Sequence, residues 1–137
     1  MKRAAMLVIA AIATAGCQMD ATASCSAVPN IVGTWRYAAT ESSPVHASIA
    51  GTLSITSASC DGIVGSMDVV ESDQGGGQQR LAGPLTGQVV DGASFQFSAF
   101  VDGNARQHLA SVAGDSVSGS WVESAAAASG TFGGRKE

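Results

Sequence analysis

Ser48-Ile49-Ala50-Gly51-Thr52-Leu53-Ser54-Ile55 is the stretch that decides the fold. Ile49, Leu53 and Ile55 share one phase with Gly51, while Ser48, Ala50, Thr52 and Ser54 share the other. That is the period of two of a half-buried strand, with one face toward a core and one toward water. The same alternation recurs at Ile63-Gly65-Met67-Val69, Leu81-Gly83-Leu85-Gly87-Val89, Phe95-Phe97-Ala99-Val101 and Val117-Gly119-Trp121. Between these runs stand Asp61-Gly62 and Asp91-Gly92, dipeptides suited to tight hairpins. Asp102-Gly103-Asn104 and Gly114-Asp115 supply residues that tolerate positive φ at two further corners. The pattern predicts strands near 31–39, 47–56, 63–71, 78–90, 93–101, 106–113, 116–123 and 129–135.

Eight short strands on hairpins make a meander, which leaves two unpaired edges unless it closes. Eight is also the number whose closed interior just holds packed side chains or one small ligand. The expected fold is therefore all-β, a small eight-stranded antiparallel up-and-down barrel. An open or sandwich-like sheet is the alternative, because Pro84 interrupts the ladder of the fourth strand and the sixth, Arg106-Gln107-His108-Leu109-Ala110-Ser111-Val112, alternates poorly. Ser124 to Ser129 reads as a short helical turn or a loose loop. Gly33, Gly51, Gly65, Gly83, Gly87 and Gly119 fall on the inward phase, where a missing side chain admits a bulky neighbour or lets a strand coil. Trp35, Tyr37, Phe95, Phe97 and Trp121 are the candidate lining of a ligand cavity, with a filled core as the alternative reading.

The N-terminus has another character. Lys2 and Arg3 precede an uncharged apolar run from Ala4 to Ala13, and Thr14-Ala15-Gly16 lead to Cys17. This is the layout of a secretory signal, and the apolar run is too short for a membrane-spanning helix, which needs about twenty residues. Ala13-Thr14-Ala15-Gly16-Cys17 resembles a bacterial lipobox. The resemblance implies cleavage before Cys17, acylation of its thiol and attachment to the cell envelope through the lipid. Gln18, standing where inner-membrane retention signals of this class carry an Asp, favours the outer membrane. Cleavage after Ala15, giving a soluble periplasmic protein, is the alternative. The expected organisation is a signal peptide over 1–16, a flexible tether over 17–30, where Pro29 discourages a helix, and a barrel over 31–137.

Cysteine parity agrees with lipidation. Three cysteines in an exported chain leave an odd thiol. Acylating Cys17 removes it and leaves Cys25 and Cys60 as a pair that an oxidising compartment would join. Cys25 precedes the first strand and Cys60 follows the second, which places both at one end of a meander. Two separate buried thiols are the alternative.

Ile31-Val32-Gly33-Thr34-Trp35 resembles the Gly-x-Trp opening of lipocalins and other small ligand-binding barrels, avidin-like ones included, and Ser118-Gly119-Ser120-Trp121 echoes it. Small periplasmic protease inhibitors that use a disulfide-pinned eight-stranded barrel share the strand count and that opening. These likenesses imply a barrel that binds a small apolar ligand or another envelope protein, or else a structural or inhibitory barrel with a filled core that acts through loops such as Gln74 to Gln79.

Of the 137 residues only 13% are charged, with Asp+Glu 11 against Lys+Arg 7. Taking Lys2 and Arg3 from the seven cations leaves five against eleven acidic residues from Cys17 onward. An acidic chain without a basic stripe lacks the footprint of a nucleic-acid partner. His46 and His108 have no metal-site spacing, no Gly-x-Ser-x-Gly elbow occurs, and Gly75-Gly76-Gly77 lacks the Lys and helix of a phosphate loop. Glu71 and Asp73 read as a solvated hairpin tip. Neither enzymatic activity nor a cofactor or metal is expected. If acylation holds the protein, Cys17→Ser is expected to move it from the membrane fraction to the soluble one and to abolish incorporation of radiolabelled fatty acid. Retention of the variant in membranes would contradict the lipobox.

Overall fold

The computed structural model describes residues 25–137, so the signal segment, Cys17 and the first part of the tether lie outside the described residues. Eight strands run β1 (Gly33–Ser43), β2 (Ala47–Ser59), β3 (Gly62–Asp73), β4 (Gln78–Asp91), β5 (Ser94–Val101), β6 (Asn104–Ala113), β7 (Ser116–Glu123) and β8 (Ala128–Lys136). Each pairs antiparallel with the next, and β1 pairs with β8 to close the barrel. The closing ladder, from Trp35 opposite Lys136 to Ser43 opposite Ser129, excludes the open or sandwich-like alternative. A closed sheet has no edge to be completed from elsewhere.

The expected alternation sets which side of the wall each residue occupies. Trp35, Tyr37, Ile49, Leu53, Ile55, Met67, Val69, Leu85, Phe95, Phe97 and Trp121 are buried inside. Thr52, Gln96, Gln107, Ser118 and Ser120 are exposed outside. The outer wall mixes these polar residues with exposed Val64, Phe100, Leu109 and Val122.

Strand ends differ from the expected ones. β1 starts two residues later and runs to Ser43, because Ala39 and Glu41 continue its inward row beyond the apolar residues. Ile31 is buried as a plug below the strand, its N–H bonded to the Pro29 carbonyl at 2.9 Å. Residues 124–127 form a turn, with Ala127 at φ 49°, and not a helix.

The barrel has two unlike poles. At the lower one lie the start of β1 and the β2–β3, β4–β5 and β6–β7 turns. There Cys25 and Cys60 form a disulfide across a Cα separation of 5.5 Å, tying the described end of the tether to the rim. Closing a loop of this length contributes about 2–4 kcal/mol. Trp35 fills this pole and donates from Nε1 to the Ile31 carbonyl at 2.9 Å.

At Gly51, Gly65, Gly83, Gly87 and Gly119 the nearest obstacle to a side chain is a neighbouring strand's carbonyl, whereas Gly33 meets only the Lys136 side chain. A Cβ on Gly83 would overlap the Phe100 carbonyl, and one on Gly119 would overlap the Leu109 carbonyl. At these points adjacent strands coil too closely for any side chain to stand between them. Gly83→Ala is therefore expected to cost at least about 2 kcal/mol, the scale of overpacking in a dense core. Gly75→Ala, at an exposed turn position where a Cβ meets nothing nearer than 3.4 Å, is expected to change stability by about 0.5 kcal/mol or less. Urea denaturation of the two variants distinguishes them, and equal stabilities would refute the close approach at Gly83.

Candidate functional site at the barrel mouth

At the upper pole the interior stops being apolar. The inward phase brings Glu41 from β1, Glu71 from β3, Arg106 from β6 and Glu123 from β7 to one level. Arg106 donates from Nε to Glu123 Oε2 at 2.6 Å and from Nη2 to Glu71 Oε2 at 2.8 Å. Burying such ions has a desolvation cost of several kcal/mol each, which only well-made pairs offset. Beneath them the guanidinium carbon stands 4.8 Å from the centre of the Trp121 ring.

Beside this cluster the β4–β5 ladder ends, although Gly83 still lies against the Phe100 carbonyl, and β4 runs on past the end of β5 at Val101. β4 pairs with β3 from Gln78 to Gly87, but its ladder with β5 runs only from Leu85 downward. Pro84, one residue above, has no N–H to extend it. Beyond the end of that ladder Gln79 Nε2 donates to Asp102 Oδ2 at 2.9 Å. A cavity of about 250 Å³ occupies the mouth, bordered by the four charged residues, by Gln79, Leu81, Val101, Asp102 and Asn104, and by Ala126 and Ala128.

Glu41 stands apart from the other carboxylates. Only 8% exposed, it makes no ion pair among the described residues. Burial, and then the neighbouring Glu71, push its carboxyl above the ordinary carboxylate value, offset in part by the Val45 N–H and Arg106.

Below the charged level a neutral network crosses the barrel. His108 Nδ1 lies 3.1 Å from the Arg106 carbonyl, which can only accept, so Nδ1 carries the proton. Nε2 is then the acceptor of the Tyr37 hydroxyl at 3.0 Å. The imidazole stacks on Phe97 with ring centres 4.2 Å apart, and Phe132 packs edge-on at 5.1 Å. Burial pushes the Tyr37 phenol well above its usual value and the His108 imidazole down to about 4.

The five aromatic candidates are all interior, but they occupy different levels. Trp35 fills the lower pole, and Phe95 packs on Phe97 with centres 5.8 Å apart. Tyr37 and Phe97 meet around His108, and Trp121 lies beneath Arg106. None of the five borders the mouth cavity. Phe97 and Trp121 border a groove of about 640 Å³ among Gln88, Gln96, Gln107 and Leu109, outward residues of β4 to β6.

Three sequence readings change here. Glu71 is no solvated hairpin tip, since its side chain is mostly buried against Arg106. Asp73 does hold the hairpin, accepting from the Gly77 N–H at 2.8 Å. The poor alternation of β6 is in fact regular, with Arg106 and His108 on the inward phase ahead of Ala110. Those two inward polar residues were the available signal for the site. His46 is exposed in the β1–β2 turn and makes no site with His108.

No family model matches this chain, and no curated protein matches it. Among solved structures it is similar to a de novo designed fluorescence-activating β-barrel, with a TM-score of 0.60 and 17% identity over 78% of this chain and 94% of that one. It is similar also to EF1p2_mFAP2b, solved bound to DFHBI, with a TM-score of 0.60 and 12% identity over 77% of this chain and 93% of that one. At such identities the likeness is one of fold.

The buried imidazole makes stability depend on acid. Below its ordinary 6.5 an unfolded chain protonates His108, while the folded chain resists until about 4. The unfolded state thus holds more protons across that window, and stability falls as pH drops through it, by roughly 3 kcal/mol in all. Glu41 acts in the opposite sense, since protonation relieves its buried charge. Urea midpoints from pH 7 to pH 4 are expected to decline, and His108→Gln is expected to lose the part of the slope between pH 6.5 and about 4. An unchanged slope in the variant would show that His108 is not its source.

Proposed function

We propose that this protein is a lipid-anchored envelope protein whose barrel binds a small ligand at its mouth, without catalysing a reaction. The observation that carries the reading is the mouth itself, a cavity lined by buried charges whose desolvation an apolar layer would have avoided. Deep pairing of Tyr37 with His108 leaves the two groups best suited to proton transfer committed to each other below the cavity. The aromatic middle of the barrel is packed, so a ligand would be taken at the mouth, where charged side chains add polar selection.

The poles support an anchored arrangement. Cys25 is at the lower pole, away from the mouth, and Cys17 is eight residues before it in sequence. Those eight residues reach about 28 Å at most when extended. Acylation at Cys17 would therefore hold the lower pole near the outer-membrane surface and the mouth facing away. A periplasmic protein that is not acylated would keep the same mouth. The stacked aromatics at mid-height favour one second reading, a filled barrel acting on another envelope protein through its upper loops.

Native mass spectrometry of the folded protein extracted from membranes is expected to show the acylated chain with a small-molecule adduct in addition to its lipid. An adduct-free protein that co-purifies with a stoichiometric envelope protein would favour the second reading.

A further inference from the structure

We propose that residues 25–32 form a redox-released strap, which closes the lower pole while Cys25 and Cys60 are joined and leaves it when a dithiol reduces them. The inference stands apart from the ligand-binding reading and uses neither the mouth nor the acylation of Cys17.

The path of this segment defines the strap. It starts at Cys25, bridged to Cys60 beside the β2–β3 turn. The Ala27 methyl then passes 3.3 Å from where a Cβ on Gly92 would stand, in the β4–β5 turn. Asn30 lies by the end of β8, where its carbonyl and its Oδ1 each accept from Lys136 Nζ at 3.3 Å. The segment thus meets the rim at separate places around the ring, and Ile31, 0% exposed, closes the pole. At Gly33 the chain turns into β1 with φ 139°, a conformation open to glycine and strained for other residues, which makes Gly33 the hinge.

Apart from the bridge, little holds the strap. Of the seven residues Ser26 to Val32 only Pro29 and Ile31 are buried. The backbone bond from the Ile31 N–H to the Pro29 carbonyl lies within the strap itself. Its hydrogen bonds to the barrel are the two from Lys136 at an exposed position and the one from Trp35 Nε1 to the Ile31 carbonyl. The entropy of ordering the segment opposes these few contacts, and the covalent bridge removes part of that opposition by fixing the far end. The barrel is built differently. Every strand is paired on both sides, and neither cysteine lies in a strand. Segments with few buried contacts open ahead of the units they pack on, so the strap can leave while the sheet stays closed.

The chemistry is thiol–disulfide exchange. Cys60 is exposed and Cys25 half-buried, which lets a small dithiol reach the bridge from solvent. One thiolate of the reductant attacks one sulfur, forming a mixed disulfide and releasing the other cysteine. The second thiol of the reductant then displaces the remaining cysteine. Two electrons and two protons pass to the protein, which gains two thiols, and the reductant ends as a disulfide. The freed strap carries Ile31 away from the pole and leaves the Trp35 N–H without its acceptor.

The two indole N–H groups separate local release from general loosening. Trp35 Nε1 is bonded to the strap, whereas Trp121 is buried beneath Arg106. Hydrogen exchange at both would be followed by NMR in the full chain, before and after dithiothreitol, with alkylation counting the two thiols gained. The Trp35 N–H is expected to exchange about tenfold faster or more in the reduced protein, as in a locally opened segment, while that of Trp121 keeps its rate. Replacing both cysteines, Cys25→Ser with Cys60→Ser, is expected to give the fast Trp35 rate without reductant. If that variant does not fold, reduction of the native chain decides alone. An unchanged Trp35 rate after reduction would overturn the strap, since its other contacts would then suffice. Equal acceleration at both indoles, or loss of the fold on reduction, would overturn it too, because the bridge would then be a staple of the whole barrel.

Discussion

Closure between β1 and β8 is the constraint on which the rest of this structure depends. An eight-stranded sheet wrapped on itself leaves an interior about one layer of side chains wide at each level. Every inward residue must then fit a fixed cross-section shared with seven other strands. Closure explains the glycines, because the coiling it demands brings the Phe100 carbonyl to the place a side chain on Gly83 would fill. It also explains the segregation of Ser, Thr and Gln to the outer wall, since a narrow core has no room for groups that need water.

Within that cylinder the levels have different chemistry. The lower pole is dry and stapled, with Ile31 plugging it, Trp35 hydrogen-bonded within it and the disulfide at its rim. The middle is aromatic around one hydrogen-bonded polar pair, Tyr37 and His108. The top is ionic. This gradient has a physical logic, because charges near an open end retain partial hydration and are less costly than the same charges at mid-height. Past the end of the β4–β5 ladder, Gln79 and Leu81 of β4 border the cavity together with the charged cluster.

The ionic level is also where structure and binding make opposite demands. Arg106 is held from two sides and packed over Trp121, which makes a stiff platform. Glu41 borders the cavity without an ion pair among the described residues, its carboxylate held by the Val45 N–H, while Trp121 lies beneath the platform and off the cavity. A protein optimised only for stability would remove a carboxylate so placed. A buried carboxylate without an ion pair at the edge of a cavity fits sites whose charged groups are completed by what they bind.

The sequence determined the local terms of this protein. Alternation assigned Ile49, Leu53 and Phe97 to the inside and Thr52 and Gln96 to the outside, Asp-Gly pairs marked hairpins, and Cys25 and Cys60 could be placed at one end before any coordinates. These signals act over two to four residues, so each is written in adjacent letters. The mouth was not legible in the same way. Glu71 read as a solvated tip, Arg106 and His108 looked like faulty alternation, and Pro84 looked like an argument against a barrel. Only the tertiary structure decided that Glu71, Arg106 and Glu123 share one level, at sequence separations of 35 and 17 between the bonded partners, and that Tyr37 meets His108 at a separation of 71. The height at which an inward residue sits depends on the register accumulated around all eight strands of the closed sheet. That register is a property of the whole ring, and no local stretch of sequence contains it.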